Sequence, residues 1–258
     1  MNAKTLMFTQ FKGGVAKTSS CFEIATILAN FKDKKVLLID LDPQANLTQL
    51  SGIEEDKSYD YSIHHSLVGN RVLTPLKISD KLDIIPADIR LALDKGKLYV
   101  DSLNDPKFKY KLNNEIEKIK HQYDYIIIDC PPSLDILVEF ALFASDYVYI
   151  PSQSEVFSSN GLDMNLDALN RIIETNQLKA VIKGVFFTIV DKQRALSTYI
   201  NNDAKDKYKG LIMRTFIRKN VAICNAQALN QSVTVYERNS FASFDYQALT
   251  SIILKQTI

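Results

Sequence analysis

Several features that classify a protein at a glance are scarce in this chain of 258 residues. Its three cysteines, Cys21, Cys130 and Cys224, lie far apart, with no C-x-x-C pair and no histidine at metal-ligand spacing. That argues against a disulfide framework or a zinc site and fits a reducing cytoplasm. No run of 18 apolar residues occurs, and no charged segment followed by a long apolar one precedes the first glycines. Neither a membrane-spanning helix nor a secretory leader is therefore expected. Linkers rich in Pro, Gly or Ser, repeats and low-complexity tracts are missing as well, so one domain is expected over residues 1–258. Charge of one sign is lacking overall, since 31 Lys and Arg face 30 Asp and Glu for a net +1. The average hides a split: residues 1–176 carry a net −6 and residues 177–258 a net +7. Such an asymmetry is the mark of a polyanion-facing surface or of a solvated face that touches nothing.

What is present is a 46% hydrophobic composition, enough for a sizeable core. Short apolar, β-rich runs recur at 5–10, 35–40, 82–87, 124–129, 146–151, 180–190 and 211–217. Most lack the alternation of a half-exposed strand, and helix-period segments at 18–31, 109–121, 134–144, 159–176 and 239–255 separate them. Runs apolar on both faces, alternating with helices, predict an α/β, doubly wound, mainly parallel sheet with helices on both faces. Ligands of such sheets bind at the carboxyl ends of the strands, so the chemistry should follow the runs just named.

The stretch "FTQFKGGVAKTSSCF" (8–22) follows the first run. Gly13 and Gly14 let the backbone approach a phosphate, and the helix start beyond them adds partial positive charge. In this setting Val15, Ala16, Lys17, Thr18 and Ser19 complete a phosphate-binding loop: Lys17 reaches β- and γ-phosphate oxygens, Thr18 offers a hydroxyl to Mg²⁺ and Ser19 a hydrogen bond to phosphate. A strict G-x-x-x-x-G-K-[ST] search fails at Phe11 and Ala16. A left-handed Ala16 would cost roughly 1–2 kcal/mol, so near-helical dihedrals are expected there. Beside Phe11 stands a second lysine, Lys12. "KGGVAKTS" resembles the deviant Walker A signature of the ParA/MinD group of P-loop ATPases, and in that group the extra lysine reaches the partner subunit's nucleotide across a sandwich dimer.

The second run ends in "VLLIDLDPQANLT", with Asp40 and Asp42 where strand gives way to loop, a placement suited to a Mg²⁺ shell and an attacking water. The segment resembles the D-x-D-P-Q-x-N switch of ParA proteins. The resemblance implies that Asp40 supports the metal and its waters and that Asp42 orients or deprotonates the attacking water. "YDYIIIDCPPSL" reads as a Walker B strand whose Asp129 is expected to hold Mg²⁺, directly or through water. Cys130 has no histidine partner in sequence and reads as a packed thiol.

Further on, "PSQSEVFSSNGLD" (151–163) resembles the P-x-Q-x-E segment of the same family, "TIVDKQ" (188–193) its T-x-x-D-x-R segment, and "FIRKNVAICNAQALNQSVTVYERNS" (216–240) the I-P-R-N stretch that lines adenine. By that resemblance Thr188, Ile217 and Arg218 fall at base and ribose positions, although Gln193 stands where arginine is usual and Arg218 replaces the usual proline. Together these similarities run from about residue 4 to 255.

The resemblance implies an ATPase using ATP and Mg²⁺, with Asp42, Lys12 and Lys17 as its catalytic groups. It further implies an ATP-bound homodimer that binds double-stranded DNA without sequence preference, and a ParB-like partner that stimulates slow hydrolysis and release. The setting would be cytoplasmic and nucleoid-associated, serving plasmid or chromosome segregation with no membrane. No helix-turn-helix segment is expected ahead of residue 4, which matches the short, Soj-like members. Lys192, Arg194, Lys205, Lys207, Lys209, Arg214, Arg218, Lys219 and Arg238 are the candidate DNA contacts in the basic third. Three other readings stay open. A MinD-like ATPase positioning cargo on a membrane would need a basic amphipathic tail, whereas the final helix carries Phe241, Phe244, Ala248, Leu249, Ile252 and Ile253 on one expected face and Lys255 as its sole basic residue. A core-packed final helix is expected instead. A dethiobiotin-synthetase-like ligase would show turnover dependent on a small acid, and a nitrogenase-iron-protein-like carrier would need cysteines placed for a shared cluster.

Overall fold

The computed structural model describes residues 3–153, 161–191, 208 and 210–257. Lys4–Phe8 forms β1, Val36–Asp40 β2, Leu76–Ser79 β3, Leu82–Ile85 β4, Tyr125–Asp129 β5, Tyr147–Gln153 β6, Val181–Val190 β7 and Ile212–Arg218 β8. Among the described residues these make one eight-stranded sheet in the order β3-β4-β2-β5-β1-β6-β7-β8. Every neighbouring pair is parallel except β3 with β4, which is antiparallel. β1, β2 and β5 are apolar on both sides because helices cover both faces.

On one face lie α1 (Lys17–Phe31) and the last helices α9 (Val221–Ala228), α10 (Val233–Tyr236) and α11 (Phe241–Thr257). The other carries α4 (Ile63–Leu67), α5 (Arg90–Asn104), α6 (Lys111–Ile119), α7 (Ile136–Ala144) and α8 (Gly161–Thr175). Two short helices, α2 (Asn46–Leu50) and α3 (Glu55–Tyr61), follow β2. Each face has its own large apolar cluster, joined through the sheet. The doubly wound expectation is met.

Differences are local. The antiparallel β3 and helix α5 were not anticipated: β3 is a four-residue edge strand of partly exposed residues, and α5 leaves Leu93, Val100 and Leu103 exposed. The helix expected over 109–121 is three pieces, a 3₁₀ turn at Pro106–Tyr110, α6, and a second 3₁₀ turn at Lys120–Gln122. Pro106 fixes the first break, since it begins a turn capped by Asp105. The apolar face expected for α11 also needs correction. Its buried stripe is Ala242, Tyr246, Leu249 and Ile253, whereas Phe241, Phe244 and Ala248 point outward.

Strand register does the positioning. Asp129 at the end of β5 is the register partner of Phe8 on β1 and of Asp40 on β2. Two carboxylates and the phosphate loop thereby meet at one edge of the sheet.

Candidate nucleotide site

A cleft of about 490 Å³ opens at these strand ends. The loop residues Lys12 to Ser19 form its floor, with Asp42, Asn46, Gln49 and Leu50 on one side and Pro132, Gln227 and Asn230 around the rest. The first amides of α1, from Lys17 to Ser19, have no intrahelical acceptor, and no side chain caps the helix. Free amides and the helix dipole together make this a place for an anion. A Cβ built at Gly13 or Gly14 would meet nothing within 4 Å, so the loop stands open, and Gly14 has φ +72°.

Ala16 departs from expectation. Its dihedrals are φ 57° and ψ 31°, left-handed rather than near-helical. The loop geometry prevails over the Cβ, at a cost of roughly 1–2 kcal/mol. Ala45, which precedes α2, repeats the feature with φ 54°.

The loop is fastened from the neighbouring strands. Gln153 of β6 donates to the Gly14 carbonyl at 2.8 Å, and Thr188 of β7 donates its hydroxyl to the Val15 carbonyl at 2.9 Å. The two lysines differ sharply. Lys17 is buried and its ammonium lies 3.1 Å from Asp129 Oδ1, whereas Lys12 is exposed and reaches only Gln153 Oε1, at 3.5 Å. Burial alone would pull Lys17 down, but the Asp129 carboxylate more than offsets it and holds the ammonium above its ordinary pKa.

Thr18 donates its hydroxyl to Asp129 Oδ2 at 2.7 Å. A hydroxyl beside a carboxylate at a phosphate loop is the donor set that Mg²⁺ takes with nucleotide, since that ion uses few protein ligands and keeps phosphate oxygens and waters. Among the described residues no three carboxylate, thiol or imidazole groups form a ready-made metal cage. Asp40 is fully buried, and its oxygens accept the Asp42 N–H at 3.0 Å, the Thr48 N–H at 2.9 Å and the Thr48 hydroxyl at 2.8 Å. It holds the loop that carries Asp42. Burial and the Asp129 carboxylate alongside push the Asp40 carboxyl up. Asp42 itself lines the cleft, accepts the Gln44 N–H at 3.0 Å and is also raised by burial.

Burial pushes the Cys21 and Cys130 thiols far up, which removes them as nucleophiles. Of the residues expected at base and ribose positions, Thr188 and Ile217 are buried inside the fold, Thr188 bracing Val15 as described. Arg218 does line a second cleft of about 530 Å³, at the ends of β7 and β8, with Val190, Asp191, Lys219, Asn220, Val221 and Phe241. Its guanidinium pairs with Asp245 at 2.5 Å and lies 4.4 Å from the Phe241 ring centre. Of the other basic candidates, Arg214 is exposed on edge strand β8, and Lys219 is exposed beside Arg218. Arg238 stacks on Phe31, the last residue of α1, at the end of that helix away from the phosphate loop. Lys192, Arg194, Lys205, Lys207 and Lys209 lie outside the described residues. Asn46, the last position of the D-x-D-P-Q-x-N match, does line the cleft, whereas Gln49, Gln227 and Asn230 were not singled out, because polar residues in loops and short helices give no periodic signal.

Comparison with known proteins decides the family. A family model described as an AAA domain matches residues 3–183. The sporulation initiation inhibitor protein Soj of Bacillus subtilis is 33% identical over 92% of this chain and 92% of its own length. The chain belongs to the ParA/Soj family of P-loop ATPases. Among solved structures, a plasmid partition protein from Borrelia burgdorferi bound to AMPPNP is 27% identical, with TM-score 0.80, covering 98% of this chain and 99% of that one. A cobyrinic acid a,c-diamide synthase from Mycobacterium smegmatis with bound ADP and magnesium is 26% identical, with TM-score 0.81, covering 98% and 94%. These neighbours carry nucleotide, and the synthase magnesium as well, on the fold that this chain shares.

Proposed function

We propose that the chain is a DNA partition ATPase that binds ATP with Mg²⁺, dimerises across the nucleotide, holds DNA without sequence preference in that state, and lets go after hydrolysis stimulated by a ParB-like partner. The observation that carries the reading is the unlike pair of lysines in one loop. Lys17 is already turned inward onto Asp129, while Lys12 stands exposed, with a long 3.5 Å bond to Gln153 as its one partner among the described residues, and is placed to serve a nucleotide other than its own. Magnesium, when bound, would supply neutralisation of phosphate charge. Lys17 and the α1 amides hold the phosphates, Thr18 and Asp129 hold the metal's side of the site, and Asp42 orients the water and accepts its proton. Phosphoryl transfer needs positioning and charge compensation more than covalent help, so a lysine supplied in trans makes turnover depend on assembly.

The reading places the protein in the cytoplasm on the nucleoid. Among the described residues no helix is long and apolar enough to cross a membrane. The base is assigned to the second cleft, beside Arg218. Arg214 and Lys219, with the basic residues at 192–209, are the DNA-facing candidates.

The test is binding to an unrelated duplex with no nucleotide, with ADP, with ATP, and with ATP in an Asp42→Ala variant. Binding with ATP alone, retained in the variant and weakening steeply with salt, is the expected result. Absence of binding in every state would overturn the DNA role, and ATP turnover that required a small organic acid would favour a ligase.

A further inference from the structure

Behind the phosphate loop, α1 carries a buried acid that the hydrolysis scheme leaves unused. Glu23 is 1% exposed and lies one helical turn beyond Ser19, on the same face of α1. Both residues grip one segment of chain. Gln227 donates to the Ser19 hydroxyl at 2.6 Å; Ser232 donates its hydroxyl to Glu23 Oε2 at 2.5 Å, and the Val233 N–H donates to Glu23 Oε1 at 2.7 Å. Between these two fastenings the chain passes Gln227 and Asn230, which wall the nucleotide cleft. Asn230 sits there in left-handed backbone, φ 53°, a shape that its neighbours must hold.

We propose that Glu23 is a positioning residue that keeps the 227–233 segment closed against the cleft and so sets how long nucleotide remains bound. The inference rests on the reading that this cleft takes nucleotide. The Ser19 hydroxyl is within reach of both a phosphate and Gln227, so the upper fastening changes when a phosphate recruits that hydroxyl. Glu23 contacts no part of the cleft and its fastening stays. The segment then pivots on its lower anchor instead of leaving the cleft.

The network also says which replacement should work. The Ser232 hydroxyl lies 2.5 Å from Thr234 Oγ1 and can turn its hydrogen that way. A glutamine at this position keeps both bonds, its amide oxygen accepting from Val233 and its amide nitrogen donating to Ser232. An alanine keeps neither and leaves a buried N–H unpaired.

Release of a fluorescent ADP analogue from the full chain in Mg²⁺, by stopped flow, reads the effect. Glu23→Ala should release it about tenfold faster than wild type, Gln227→Ala should also be faster, and Glu23→Gln should stay within about twofold of wild type. A merely structural role would lower the unfolding midpoint of Glu23→Ala without changing release. If Glu23→Ala does not fold, Ser232→Ala, which removes one of the two bonds, carries the test with an intermediate acceleration. Wild-type release in the alanine variants, or equal acceleration in Glu23→Gln and Glu23→Ala, overturns the inference. Failure of wild type to bind the analogue would overturn the nucleotide reading and this inference with it.

Discussion

The loops after β1 and β2 look alike and are secured in opposite ways. Each bends through a left-handed alanine into a helix, Ala16 into α1 and Ala45 into α2, and each carries a residue assigned to the chemistry. The phosphate loop is held from outside, by Gln153 on β6 and Thr188 on β7, residues more than 130 positions away in the chain. The switch loop is held mainly from within, by the Asp40 carboxylate gathering Asp42 and Thr48 and by Asp42 accepting the Gln44 N–H. Distributed bonds to a rigid sheet suit a loop that must keep one shape around a polyphosphate. Reliance on mostly local carboxylate bonds would suit a loop whose Asp42, in the proposed function, responds to what the cleft contains, because loss of Asp40 frees three of its donors at once.

Substitutions test that contrast from the largest effect down. Lys17→Ala removes the phosphate loop's charge while its strand fastenings remain, and phosphate release assays should show a fall in turnover of about 10²–10³-fold. Asp40→Ala orphans three donors at once and should cost about 2–4 kcal/mol in urea unfolding, with faster proteolysis across 41–48. Comparable loss from Thr188→Val, which removes one of several fastenings, would break the contrast; about 1 kcal/mol is expected. Glu23, on the helix behind the phosphate loop, adds a pH test. Burial pushes its carboxyl up to about 7, so the folded chain keeps that proton to higher pH than the unfolded chain does. The associated stability is full below the ordinary carboxylate range and is lost as pH rises through 7. Glu23→Gln should flatten that fall, by roughly 1–3 kcal/mol between pH 4 and 8. Smallest are Ala16→Gly and Ala45→Gly, each expected to raise stability by about 0.5–1 kcal/mol through relief of the left-handed alanine, less the added chain entropy.

The parallel sheet, the phosphate loop and the carboxylates at Asp40, Asp42 and Asp129 were legible because each is written locally, as an apolar run followed by a short polar motif. The dihedrals of Ala16 were misjudged because intrinsic preference was weighed without the loop that overrides it. Gln153 and Thr188 were visible as motif positions, but their bracing of the phosphate loop was unreadable, as was the wall at Gln227 and Asn230, since nothing in a polar residue's sequence context tells which distant carbonyl it will meet. The final helix showed another limit: its apolar residues exceed one face, and only packing against α1 and β8 selects Tyr246 over Phe244 for the interior.

The ion pair between Lys17 and Asp129 gives each of the cleft's opposite charges a partner within the chain. Lys17 must turn from that carboxylate to meet a phosphate, and Asp129 is then left to balance a cation. In the proposed function nucleotide and magnesium would be bound by one shared exchange, and by linkage each would then tighten the other by the same factor. Titrating either ligand at fixed levels of the other would measure that factor from both directions and show the protein working as a coincidence detector for the complete metal–nucleotide complex.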